Sequence, residues 1–128
     1  MSTTATRYTF KKTERLCSRK QIEQLIQTKQ HKFSHPLKLM YALNQQNDAK
    51  ERAQVAFVVP KRLFKKANQR NYIKRLMREA YRINKPEFYK QLEQKQNAYN
   101  LMFVYAVADS PNFNDIKKKI VLLLQQLP

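Results

Sequence analysis

The chain has 128 residues, enough for one domain with a modest core of its own, and carries 26 Lys and Arg against 9 Asp and Glu, a formal charge of +17. That excess goes far beyond what solubility requires and points to a polyanionic partner, nucleic acid ahead of an anionic membrane surface. Glycine is absent and the only cysteine is Cys17, which excludes the glycine-dependent phosphate loop and dinucleotide fingerprint, an internal disulfide and a thiolate metal cluster.

In chain order, residues 1 to 14 are Thr-rich and basic without periodicity and read as a mobile arm ahead of a single domain over 15 to 128. The segment holds no apolar stretch of the kind a signal peptide needs, and no later run reaches the roughly 18 apolar residues of a spanning helix, so a cytoplasmic location away from membranes is expected. SRKQIEQLIQTK places Ile22, Leu25 and Ile26 on one helical face behind Ser18 as cap. His31 and His35 stand four apart, but Pro36 and the polar run before them put both in a connection rather than on a metal-binding helix. PLKLMYALN, 36 to 44, alternates as a half-buried strand, a polar turn follows at 46 to 52, and QVAFVVP, 54 to 60, reads as an interior strand ended by Pro60. A helix is expected from about Lys66 to Asn84. Pro86 is expected to stop or kink it, with PEFYKQLEQKQ adding a further turn or two. YNLMFVYAVA, 99 to 108, reads as a strand, and Asp109 or Asn112 caps a last helix carrying Ile116, Ile120, Leu123, Leu124 and Leu127. The order implies an α/β two-layer sandwich, helices packed on one sheet.

The central helix carries the chemistry. At about 100° per residue, Arg70, Asn71, Lys74, Arg75, Arg78 and Arg82 fall within an arc of roughly 140°, and Tyr72, Ile73, Leu76, Met77, Ala80 and Ile83 occupy the opposite arc. A solvated face would mix signs, yet here positions 70, 74 and 78 repel one another along the axis. An anionic partner offsets that repulsion. Guanidinium groups grip phosphate oxygens in pairs and stack on bases, and Asn71 offers a donor and an acceptor to a base edge or a 2′-hydroxyl.

The sequence RNYIKRLMREAYR, 70 to 82, resembles the RNR-motif helix of the protein subunit of bacterial ribonuclease P. Val59, Pro60, Lys61 and Arg62 resemble the strand end and basic pair before it, and Glu14, Arg15 and Leu16 resemble the family's N-terminal segment. The likeness runs over about 10 to 127 and is strongest from 55 to 83. It implies a mixed, roughly four-stranded sheet with a left-handed βαβ crossover, an arrangement also known from a ribosomal protein domain. It implies a subunit that binds a large catalytic RNA and the 5′ leader of precursor tRNA, in a holoenzyme that removes the leader endonucleolytically. Chemistry then belongs to the RNA, with magnesium held mainly by RNA and substrate, and the protein alone is inactive. Carried over by position, Lys61, Arg62, Lys65, Lys66, Arg70, Asn71, Lys74, Arg75, Arg78 and Arg82 face the catalytic RNA, and Tyr41 lines a leader cleft between the sheet and the first helix. The chain departs from the family pattern at Tyr72, where a second motif Arg is usual, at Ile22 and Ile26, where aromatics are usual, and at Ala56 and Phe64, where glycines are usual.

Other residues are read more plainly. Tyr41 shares a strand face with Leu37, Leu39 and Leu43, so core packing competes with stacking on a base. Phe57, Phe103 and Tyr105 read as core. The acids are scattered without a pair suited to acid and base work, so neither an autonomous nuclease nor a small-molecule substrate is expected. A structural RNA-binding protein, such as a ribosomal protein, satisfies the same charge and fold.

Overall fold

The computed structural model describes residues 14–16, 19–43, 53–95 and 98–127. The elements are α1 (Arg19–Thr28), β1 (His31–Ser34), β2 (Leu37–Leu43), β3 (Ala53–Val58), α2 (Ala67–Lys95), β4 (Tyr99–Tyr105) and α3 (Phe113–Gln125). The expected arm, with the exception of Glu14, lies outside the described residues, as do Cys17, the Ser18 cap and the turn at 46 to 52.

One four-stranded sheet has the order β1-β2-β4-β3. β2 pairs antiparallel with both β1 and β4, and β3 pairs parallel with β4. A parallel neighbour needs a crossover, and α2 provides it. Strand alternation divides the sheet into two faces. The first carries Leu37, Leu39, Ala53, Val55, Tyr99, Leu101, Phe103 and Tyr105, packed against Ile73, Met77, Ala80, Tyr81, Phe88 and Leu92 of α2 and Ile116, Ile120, Leu123 and Leu124 of α3. Phe57 stacks on Phe103 at 5.9 Å and meets Tyr81 edge-on at 6.0 Å, so Phe57, Phe103 and Tyr105 belong to the core as the sequence implies. The second face is more thinly covered. Leu16 and Leu25 pack on Met40 and Met102, with Ile22, Ala42, Ala56, Val58 and Val104 partly buried around them.

One element differs from expectation. His31–Ser34, read as a connection, is an edge strand joined to β2 through the turn at His35 and Pro36. Four residues alternating with polar side chains carry too little apolar signal to mark a strand, and the pairing with β2 decides it. Pro86 does not end α2, which runs on to Lys95 as the further turns expected of PEFYKQLEQKQ. Proline removes one hydrogen bond and crowds the preceding turn, but Phe88 and Leu92 beyond it bury in the core and favour continuation of the helix. Asn112 caps α3, its side chain accepting from the Asp115 amide at 3.2 Å.

Candidate nucleic-acid interface

The turn at 61 to 66 and the first half of α2 put nine cations and one acid into residues 61 to 82. The packing of Ile73, Met77 and Ala80 on the core fixes the opposite side of the helix outward. Lys61, Arg62, Lys65, Lys66, Asn71, Arg75 and Arg78 are exposed, and Arg70, Lys74 and Arg82 are half-buried. All ten residues are therefore at least partly accessible, but not all in the same state. Arg70 donates through one terminal nitrogen to the carbonyls of Phe64 and Lys65, both at 2.8 Å, fastening the turn to the helix. Arg82 donates to Glu79 at 3.0 and 2.7 Å, so part of its charge is offset within the helix. Lys74, Arg75 and Arg78, with the four cations of the turn, remain the groups best placed to grip phosphates.

The second face of the sheet presents a different surface. Phe33 stands opposite Lys38, Lys38 opposite Val104, and Val104 opposite Val58, so the four form one row across the sheet on the side where α1 packs. Phe33 is 56% exposed. An aromatic ring beside a Lys on an open sheet face is the composition of a single-strand platform, offering stacking together with charge. Sequence alone does not mark Phe33, because its segment reads as a connection.

Tyr41 is not on that face. Leu37, Leu39 and Tyr41 share one side of β2, and Tyr41 packs partly buried against the main core under α2 and α3. The residues of β2 toward α1 are Lys38, Met40 and Ala42. Strand alternation thus corrects the placement of Tyr41 in a cleft beside α1. Of the two helix positions in that cleft, Ile22 is half-buried against Met40 and Met102 while Ile26 is 49% exposed.

A buried ion pair closes the far side of α2. The Lys85 ammonium donates to Glu14 at 3.0 Å, with side-chain exposures of 8% and 1%, and the Tyr89 hydroxyl donates to the same carboxylate. Arg15 bridges to Val55 beside β3. His35 meets Asp109 at 3.2 Å on the surface. Among the described residues no group of three or more His, Cys, Asp or Glu is placed to hold a metal ion, and no helix is long and apolar enough to cross a membrane.

Comparison with known proteins agrees with this architecture. The sequence model of the ribonuclease P family matches residues 10–128. Ribonuclease P protein components from two strains of Porphyromonas gingivalis are 31% and 30% identical over 107 residues, covering 84% of this chain and 77% of theirs. The RNase P protein of Thermotoga maritima superposes with a TM-score of 0.71 at 18% identity, over 90% of this chain and 98% of that one. That of Staphylococcus aureus gives 0.69 at 17%, over 88% and 93%.

Proposed function

Given that the chain belongs to the ribonuclease P protein family, we propose that it is the protein subunit that binds the catalytic RNA of ribonuclease P and the 5′ leader of precursor tRNA, assisting removal of the leader. The observation that carries the reading is the sign segregation of α2. Its inner side is fixed on the sheet by Ile73, Met77 and Ala80, and its outer side, with the turn before it, presents Lys61, Arg62, Lys65, Lys66, Arg70, Asn71, Lys74, Arg75, Arg78 and Arg82. A rigid helix holds these cations at a fixed spacing, so RNA phosphates meet a preorganised surface. The leader is single-stranded and suits the open sheet face, where Phe33 stacks on a base and Lys38 meets a phosphate.

In this reading the RNA performs the hydrolysis, in the cytoplasm where precursor tRNA is made. Magnesium is assigned in this reading mainly to RNA and substrate phosphates. The chain contributes by offsetting phosphate repulsion between the two RNAs and by holding the leader. Precursor tRNA cleavage by the cognate RNA at low magnesium, with and without the chain, tests this. Stimulation by the chain is expected, with no cleavage by the chain alone. Equal rates with and without it would reject the reading.

A further inference from the structure

Between the first turn of α2 and the loop before α3 lies a cavity of about 190 Å³ lined by Phe64, Gln69, Tyr72, Ile73, Ser110 and Pro111. It is smaller than the roughly 300 to 1,000 Å³ of a typical small-molecule pocket, and suits one flat heteroaromatic ring rather than a whole cofactor. Its walls are held from several directions. Ile73 is buried in the core. Phe64 packs edge-on against Tyr105 at 5.7 Å, and its backbone is fastened to the helix by Arg70. The Tyr105 hydroxyl donates to the Asp109 carbonyl at 2.9 Å, anchoring the loop that presents Ser110 and Pro111. Tyr72 completes the rim and is 50% exposed, an aromatic ring left in water about 60° around the helix from Arg75. Gln69 and Ser110, both exposed, bring donors and acceptors to the mouth.

We propose that this recess takes one unpaired nucleobase of the catalytic RNA, stacked against Tyr72 with its edge toward Gln69 and Ser110. The proposal rests on the reading that the basic face of α2 meets that RNA. Charge favours the occupant: Lys65, Lys66 and Arg70 adjoin the lining residues Phe64 and Gln69 in sequence, within a segment of nine cations and one acid, and an unpaired nucleobase is the flat apolar group that arrives attached to phosphates. Position selects the source. The recess borders α2, which covers the first face of the sheet, whereas the leader is assigned to the second.

The test measures binding of the wild-type chain and of Tyr72→Phe, Tyr72→Ala and Lys74→Ala to the cognate catalytic RNA over a range of salt, with chemical probing of Watson–Crick edges. Tyr72→Ala is expected to weaken binding roughly 5- to 150-fold at an unchanged salt slope, and to restore reactivity at one base that the wild type protects. Tyr72→Phe should retain both affinity and protection, and Lys74→Ala should flatten the slope while keeping the protection. Wild-type affinity and protections in Tyr72→Ala would overturn the nucleobase site and leave the basic-face reading standing. A lost protection found on precursor tRNA in place of the catalytic RNA would overturn the assignment of the source. No RNA binding by the wild type would overturn the underlying reading along with the site.

Discussion

Tyr41 and Phe33 separate two kinds of aromatic that composition alone cannot tell apart. Tyr41 packs on the main core, so Tyr41→Ala should lower stability by roughly 1 to 3 kcal/mol, less than the 3 to 5 of a fully buried aromatic, and should weaken precursor and mature tRNA alike. Phe33 stands open beside Lys38, so Phe33→Ala should leave stability within about 0.5 kcal/mol and weaken precursor tRNA alone by roughly 1 to 3 kcal/mol. Thermal melts run beside binding of the two tRNAs check both; a precursor-selective loss in Tyr41→Ala and none in Phe33→Ala would reverse the assignment. The identity of Tyr41 as a strand residue was legible in the alternation of PLKLMYALN. The side it faces was not, because alternation gives two faces without saying which one meets which helix. Phe33 was illegible for a related reason: an edge strand this short is defined by its partner, and nothing local marks it.

α2 was legible in its first half and not in its second. From Ile73 through Met77 and Tyr81 to Lys85 the buried positions advance by four, and each such step passes a full turn by about 40°. The buried face therefore rotates around the helix until it meets the line of Arg70, Lys74 and Arg78. Lys85 continues that basic line but is covered, with Glu14 as its counter-charge. A sequence wheel drawn with fixed arcs keeps Lys85 outside and gives Glu14, 71 residues away, no partner. Removing one member of a buried pair strands the other, so Glu14→Ala should destabilise the fold by about 3 to 5 kcal/mol, and Glu14→Ala combined with Lys85→Met should recover much of the loss. Denaturant unfolding of the two variants measures this, and a single variant as stable as the wild type would remove the pair as the tie between the N-terminal segment and α2.

For the whole molecule, the sheet separates the two surfaces that the proposed function assigns to RNA, the basic side of α2 over one face and the row of Phe33, Lys38, Val104 and Val58 on the other. A net charge of +17 draws any polyanion toward the chain, and geometry then decides which RNA takes which side. The family pattern of residues 70 to 82 made the first surface legible. The second depends on pairings between strands far apart in sequence. The central claim is that Lys74, Arg75 and Arg78 contact phosphates of the catalytic RNA. It is tested most directly by the affinity of the chain for that RNA across a range of salt, wild type against Lys74→Ala, Arg75→Ala and Arg78→Ala. Each variant should keep its melting temperature, bind more weakly, and lose about 0.7 to 0.9 from the slope of log affinity against log salt. Slopes and affinities equal to the wild type in all three would contradict the account.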